Sequence, residues 1–229
     1  MNCNIFEKAN QIVRASDAVY LGVIDEDGCP SVSTVSTINP QDIFTAYFAT
    51  GTNANKTRRL LRDKRACICY RLGGNNVTLA GEAEIITDQE TKNKCWLDWF
   101  INHFPLGKTD PDYCIIKFTA KRVSLWIDNE GAEFTIEQLL KVQSRCGLLC
   151  SGCSYRESHG CKGCVETNGH PFYGECSIAV CCQNRGFSHC GQCGEIPCEK
   201  LRKYSCDDPE HGDKPPGARI AVCRAWAVN

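Results

Sequence analysis

Cysteine is the residue type whose spacing most clearly predicts chemistry in this sequence. Thirteen of the 19 cysteines lie at or after position 146. Three Cys-x2-Cys pairs occur there: Cys150/Cys153, Cys161/Cys164 and Cys190/Cys193. A tight turn brings both thiolates of such a pair to one side, and two pairs complete a tetrahedral site of four sulfurs. The three pairs, together with single cysteines, supply enough thiolates for two metal sites. The candidate ligands are Cys146, Cys150, Cys153, Cys161, Cys164, Cys176, Cys181, Cys190, Cys193 and Cys198.

The kind of metal stays open at this point. Sulfur-only ligation suits zinc and iron–sulfur clusters of the 4Fe–4S type alike. Pairs separated by 7 to 25 residues favour zinc, whereas Cys146-x3-Cys150-x2-Cys153 is compact enough to hold three irons of a cluster. Unligated thiols or disulfides are the third alternative. Histidines could replace a cysteine ligand but are more typical of a protein surface; they are His159, His170 and His189.

A second candidate site lies between Asp42 and Lys64 (DIFTAYFATGTNANKTRRLLRDK). An apolar, aromatic strand leads into a polar turn, and a basic helix pattern follows from Ala54. A helix N-terminus carries partial positive charge and unpaired N–H groups, so this order of elements is suited to an anion. Further donors are Thr50, Thr52, Asn53 and Lys56. We predict a phosphate site; the alternative is a capped surface helix with a solvated basic face.

Size, charge and hydropathy exclude several classes of protein. The chain has 229 residues, enough for one large or two modest domains, and a net charge of −1. That charge argues against a general binder of nucleic acid or anionic membranes. No apolar run reaches the roughly 20 residues of a membrane span, and the N-terminus lacks the apolar core of a signal peptide. We expect a cytoplasmic protein, in which reducing conditions favour metal-bound over disulfide-bonded cysteine.

The remaining pattern predicts the elements that would position these sites. Residues 4–15 form an amphipathic helix pattern with Ile5, Phe6, Ala9, Ile12 and Val13 near one face. Six strands are predicted at 18–24, 31–38, 43–49, 66–72, 77–87 and 113–127, with further helices at 89–104 and 133–143. Tight turns between strands favour a small antiparallel barrel over a doubly wound sheet. The predicted class is mainly β with helices (α+β).

The first 130 residues resemble the FMN-binding split-barrel family that includes pyridoxamine 5′-phosphate oxidase. The resemblance rests on the leading helix, the hairpin around Asp27-Gly28, the strand ending in Phe48-Ala49-Thr50, and the helix from Lys56 into Arg65-Ala66-Cys67. It implies a six-stranded antiparallel split barrel, a homodimer, and FMN in the subunit interface. The implied phosphate residues are Thr50, Gly51, Thr52, Asn53, Asn55, Lys56 and Thr57. The implied flavin-ring residues are Ser33, Thr34, Val35, Ser36 and Thr37, with Trp126 as an aromatic neighbour or a plain core residue.

One feature departs from the vitamin-processing members of that family. The sequence has no cluster of basic residues for a second, substrate phosphate. This favours a generic reductase or flavin carrier over oxidation of pyridoxamine phosphate.

The tail resembles a family of short cysteine-rich domains from anaerobic bacteria and archaea that has no assigned function. The resemblance covers about 146–205 and rests on CGLLCSGC, CKGC, CSIAVCC, HCGQC and IPCEKL. Cys182, Cys206 and Cys223 fall outside its repeated positions. The predicted domains are therefore a split barrel at 1–132, a connector helix at 133–145, and a metal-stabilised cysteine-rich domain at 146–229.

Three functions compete at this stage. The first is a homodimeric FMN flavoprotein of reductase or oxidase type, serving a small-molecule or protein redox partner, with zinc or iron–sulfur in its tail. The second is a non-enzymatic module, in which the cysteine tail senses redox state or binds a protein. The third, a nucleic-acid binder, is weakest because the basic residues of the tail are scattered among acidic ones.

Overall fold

The computed structural model describes residues 5–210, 212–214 and 216–227, without the side chains of Phe6 and Glu7. The chain divides into two compact units. Ala9–Glu133 forms one unit, the barrel unit, and the residues from Phe134 onward, with the start of the first helix, form the other, the cysteine unit.

The barrel unit is built on one antiparallel sheet. Its strands are β1 (Ala18–Ile24), β2 (Pro30–Ser36), β3 (Thr45–Gly51), β4 (Arg65–Leu72), β5 (Asn75–Ile86), β6 (Tyr113–Ile127) and β7 (Glu130–Thr135). The strand order is β2-β1-β4-β5-β6-β3, with β7 paired to β6. The two end strands meet just past β2, where the Ile38 N–H donates to the Tyr47 carbonyl at 3.1 Å. All six predicted strands are present, and the α+β class with an antiparallel sheet is confirmed.

A glycine in β5 allows the sheet to bend around its core. The β5–β6 register shifts between Ala80 and Gly81, which is the signature of a bulge. A Cβ on Gly81 would lie 2.1 Å from the Thr119 carbonyl oxygen, so no larger residue fits there without displacing β6. Inside the bend the core is aliphatic and aromatic, and its largest fully buried side chains include Leu21, Phe48, Ile68, Tyr70 and Phe118.

The helices of this part of the chain are α1 (Ile5–Arg14), α2 (Asn55–Arg62) and α3 (Gln89–Lys94). In α1 the predicted apolar positions Ile5, Ala9, Ile12 and Val13 are buried, while the side chain of Phe6 lies outside the described residues.

The predicted helix at 89–104 was wrong in length. The helix ends at Lys94, and a separate 3-10 helix spans Asp98–Asn102. The aromatic residues here do not follow one helical face. Phe100 and Phe104 are buried, Trp96 packs edge-on against Phe100 with ring centroids 5.7 Å apart, and Trp99 remains 45% exposed. The break lets these rings surround Tyr113 at the start of β6.

The cysteine unit consists of short helices and turns. Its helices are α4 (Ile136–Leu140), α5 (Tyr155–Ser158), α6 (Gly163–Glu166), α7 (Ser177–Asn184), α8 (Glu199–Arg202) and α9 (Ala218–Ala227). One-turn 3-10 helices occur at Cys150–Gly152 and Cys190–Gln192, and a π-helix at Lys203–Asp207. The predicted connector helix at 133–143 is shorter than expected, because β7 runs to Thr135 and its side chain caps α4.

A small apolar core holds these short elements together. Cys146, Ile178, Leu201 and Ile220 form its buried centre. The last helix, α9, was not predicted from the sequence, although Ile220, Val222 and Trp226 of that helix are buried. A Cβ on Gly147 would lie 2.0 Å from the Arg219 carbonyl oxygen, so α9 packs directly against this glycine.

No helix in the described ranges is both long and apolar enough to cross a lipid bilayer.

Candidate functional site

The predicted phosphate site is built around the N-terminus of α2. The residue that precedes the helix is Ala54, whose side chain cannot cap it, so the first N–H groups of the helix have no side-chain acceptor. Lys56 lies half-buried in the first turn, and in the part of the chain that the structure describes it enters no ion pair. A cation and free N–H donors therefore lie within one helical turn, as an anion site requires.

Two threonine hydroxyls form the base of this site. Thr57 is buried, and its hydroxyl donates to the Gly51 carbonyl at 2.7 Å. The hydroxyl of Thr50, also buried, lies 3.5 Å from that of Thr57. The Cys114 thiol donates to the Thr50 carbonyl at 3.4 Å, and burial raises the pKa of that thiol to about 11. These bonds fix the end of β3 relative to β6 and to α2.

Part of the predicted donor set is already engaged by a carboxylate. Asp112 accepts a hydrogen bond from the Thr52 hydroxyl at 2.8 Å and one from the Asn53 N–H at 3.4 Å. No local sequence pattern predicts this contact, because Asp112 is 60 residues away from Thr52 along the chain. The groups left to bind a phosphate are Lys56 and the N–H groups of the first turn of α2.

Two of the three arginines of α2, Arg59 and Arg62, serve a structural purpose. Arg59 donates to both carboxylate oxygens of Glu26, at 3.0 to 3.3 Å, and to the Ser31 hydroxyl at 2.7 Å. Arg62 donates to the Asp25 carbonyl at 2.5 Å. Two basic residues of α2 are thus tied to the β1–β2 hairpin, whereas the charge of Lys56 acts on Cys114, which lies opposite Thr50 at the end of β3.

The predicted flavin-ring strand, β2, is one of the two end strands of the sheet. β2 starts beside Arg59, through Ser31, and the chain just past its end lies beside β3, through Ile38 and Tyr47. Along it Ser33 is half-buried, Thr34 and Ser36 are exposed, and Val35 and Thr37 are buried. Thr37 is a structural residue, because its hydroxyl donates to the Ser16 carbonyl at 2.7 Å.

Trp126 lies at the C-terminal end of β6, whereas the N-terminal end of that strand lies beside the α2 site. It is 44% exposed and pairs in register with Asn76. Cys114, twelve residues earlier on the same strand, is opposite Thr50. Trp126 and the residues beside the α2 site therefore lie near opposite ends of β6.

In the cysteine unit the structure brings six of the ten predicted ligands together. They line one cavity of about 530 Å³, and they are Cys146, Cys150, Cys153, Cys161, Cys164 and Cys176. Cys150 and Cys153 flank a one-turn 3-10 helix in which the Cys153 N–H donates to the Cys150 carbonyl at 3.2 Å. The pKa of Cys150 is raised to about 12, mainly by burial and further by the negative charge of four neighbouring thiolates. Burial also raises the pKa of Cys146 and of Cys164.

The other four predicted ligands lie away from this cavity. Cys193 accepts a hydrogen bond from the Arg185 guanidinium at 3.3 Å, Cys181 is in α7, and Cys198 packs against the apolar core. Cys190 interacts with two cysteines that the sequence analysis set aside. The Cys182 thiol donates a hydrogen bond to Cys190, and this bond together with burial raises the pKa of Cys182; the Cys190 thiol in turn donates a hydrogen bond to Cys223. Cys223 was missed because α9 was missed.

Among the described residues, no three His, Cys, Asp or Glu side chains are placed to hold one metal ion. Around a single zinc the sulfurs would lie 2.3 Å from the metal and hence about 3.8 Å from one another. In the described residues no three of the cysteines around the cavity form such a group.

Comparison with known proteins identifies the fold. The family model described as pyridoxamine 5′-phosphate oxidase matches residues 5–127. The chain belongs to this family. A second model, described as a protein of unknown function (DUF3795), matches residues 142–203. No protein with a curated description matches the chain.

Several solved structures are similar to part of the chain. A protein related to general stress protein 26 from Clostridium acetobutylicum is 24% identical with a TM-score of 0.55, covering 60% of this chain and 99% of its own. General stress protein 26 from Bacillus anthracis is 23% identical with a TM-score of 0.48, covering 56% and 97%. A heme binding protein from Mycobacterium smegmatis is 20% identical with a TM-score of 0.48, covering 58% and 59%. The first of these shows the fold of the barrel unit.

Proposed function

We propose that the chain is an FMN-binding redox flavoprotein of reductase or oxidase type, whose cysteine unit holds zinc or an iron–sulfur cluster through thiolates. The observation that supports FMN most directly is the uncapped N-terminus of α2 with Lys56 beside it. FMN ends in a phosphate, and a helix N-terminus with a lysine in its first turn is a general phosphate-binding arrangement.

Some of the residues predicted to bind the phosphate of FMN fit that role, and others have a structural role. Lys56 and the first N–H groups of α2 would hold the phosphate, with the side chains of Asn55 and Arg58 at its exposed edge. Thr52 and Asn53 would keep the turn in place through Asp112. The flavin ring would then lie along β2, whose outer edge has no neighbouring strand in the described sheet. A bound flavin supplies the electron-accepting group, and the protein contributes binding and orientation.

We further propose that the working form is a homodimer. The outward face of the sheet carries two cross-strand rows, Val32–Gly22–Cys67–Ala80 and Thr34–Tyr20–Cys69–Thr78. None of these residues is charged, and Val32 and Tyr20 are 64% and 51% exposed. An exposed, uncharged sheet face is typical of a protein interface. In such a dimer Trp126 would approach a flavin from the partner subunit, because in its own barrel it lies too far along β6 from Lys56.

Burial argues against the sensing alternative. Cys182 and Cys223 are 3% and 0% exposed, and buried thiols react slowly with oxidants.

The experiment that tests the proposal is an absorption spectrum of the full chain purified without air, with flavin, zinc and iron measured on the same sample. A two-banded flavin spectrum with about one FMN per chain is expected. A colourless protein without flavin would contradict the flavoprotein assignment.

A further inference from the structure

The six-cysteine cavity has the size and lining of a site for something larger than one ion. Its volume is about 530 Å³, and its cysteines come from separate segments: the chain before and around the first 3-10 turn, the start of α6, and the residue before α7. Ligands from separate segments can meet around a common centre that binds in such a cavity. A zinc ion with four sulfurs at 2.3 Å would leave most of this space unfilled.

An iron–sulfur cluster suits both the sulfur lining and the volume of this cavity. Inorganic sulfide ions bridge the irons inside such a cluster, so each protein sulfur binds a different iron and stays on the outside. The protein sulfurs are then held farther apart than around one ion. The six cysteines likewise line the walls of one common cavity.

We propose that this cavity binds one iron–sulfur cluster, with Cys146, Cys150, Cys164 and Cys176 as its ligands. This inference rests on the proposed function, in which thiolates of the cysteine unit hold a metal centre. It adds where that centre binds, which cysteines are its ligands and which kind of cofactor it is. Three of the four residues are buried, at 7–8% exposure. Cys176 completes the set, because it precedes α7 and lines the cavity together with the other three.

The groups around these sulfurs are those that a negatively charged cluster needs. The Arg145 N–H donates to the Cys164 sulfur at 3.3 Å, and the Ser144 hydroxyl lies 3.7 Å from the Cys146 sulfur. Such bonds stabilise cluster thiolates and set the reduction potential. Arg219 lines the same cavity and is held in place by Asp213 at 2.6 Å, which places a cation beside the thiolates.

The solvent side of the cavity is covered by aromatic rings. Tyr155 and Phe172 stack with centroids 4.9 Å apart, and both are about half exposed. Cys153 and Cys161 are less buried than Cys146, Cys150 and Cys164, and they lie in the segments that flank α5, which carries the exposed Tyr155 ring. We assign them to the rim of the site and not to the cluster.

The test is to measure iron, acid-labile sulfide, zinc and FMN per chain in the full-length protein prepared without air. The wild type is expected to contain iron and sulfide in equal amounts, with broad absorbance that bleaches on reduction. Cys146→Ser and Cys164→Ser are expected to lose the iron and sulfide and to keep FMN. The matched control Cys181→Ser, a cysteine of the same unit outside the cavity, is expected to keep all three.

Two results would overturn the inference. Zinc in place of iron and sulfide in the wild-type protein would do so, whether or not the variants fold. Full iron and sulfide in Cys146→Ser would remove the ligand set. FMN is measured separately, so its absence from a protein that contains the cluster would count against the flavin assignment and leave this inference intact.

Discussion

The Thr52 hydroxyl donates to the Asp112 carboxylate at 2.8 Å, and this bond joins the turn before α2 to the segment that leads into β6. The Thr52 N–H also donates to the Asp112 carbonyl, at 2.8 Å. The turn is therefore ordered by the protein itself before any ligand binds. The cost is a negative charge next to a site proposed for a phosphate.

That cost predicts the effect of Asp112→Asn. The amide oxygen can still accept the bond from Thr52, while the charge is removed. For charges several ångströms apart near a protein surface, we expect FMN to bind roughly two- to fivefold more tightly. Fluorescence titration of the flavin-free protein measures this. Weaker binding by Asp112→Asn, with an unchanged fold, would show that the carboxylate does not oppose the ligand.

The pair of Glu26 and Arg59 predicts a pH dependence of stability. The hydrogen bond from Arg59 lowers the pKa of Glu26. A lowered folded-state pKa stabilises the protein above the unfolded-state pKa, near 4.3, and this contribution is lost as the pH falls through the folded-state value. Glu26→Gln should therefore be less stable than wild type at pH 7, with the difference vanishing in acid. Urea unfolding of both proteins at pH 7 and in acid, below the folded-state pKa of Glu26, measures the difference in stability. An equal difference under the two conditions would refute the pairing.

The bulge in β5 predicts the result of a single added methyl group. A Cβ at position 81 would lie 2.1 Å from the Thr119 carbonyl oxygen. Gly81→Ala should lower the free energy of unfolding by roughly 1–3 kcal/mol, because β6 must move. Gly74→Ala is the control, since a Cβ there meets no atom within 4 Å. If both variants unfold at the same urea concentration, the strands are not in contact at this point.

The two units predict different requirements for folding. A fragment of residues 1–140 is expected to fold and dimerise, whereas the isolated tail should be disordered without metal, since its apolar core is small. Circular dichroism and gel filtration, with and without chelator and reductant, test this. A tail that keeps its helices in chelator and reductant would show that its core is sufficient.

The sequence was most informative where periodicity and turns carried the signal. Six strands were found because their apolar runs end in turn residues such as Asp27-Gly28 and Gly73-Gly74. The fold class followed from their number and spacing. The seventh strand was missed because Glu130–Thr135 has few β-branched residues and leads directly into α4.

Long-range contacts at the candidate sites left no local pattern. Asp112 reaches Thr52 across 60 residues, and Cys223 reaches Cys190 from a helix that polar residues and glycines separate from the other cysteines. The helix predicted at 89–104 is shorter than expected because the packing of three aromatic rings, Trp96, Phe100 and Phe104, around Tyr113 outweighed helical propensity. Such contacts depend on tertiary structure, which local propensity does not encode.

The most direct test of the flavoprotein assignment is the FMN content of Lys56→Ala beside that of Lys64→Ala, an exposed lysine just beyond α2. A charge-assisted hydrogen bond to the phosphate contributes about 1.5–3 kcal/mol, so Lys56→Ala should bind FMN roughly ten- to a hundredfold more weakly. Lys64→Ala should bind it as the wild type does, and both should unfold at the same urea concentration. Equal FMN affinity in the two variants would contradict a phosphate site at the start of α2.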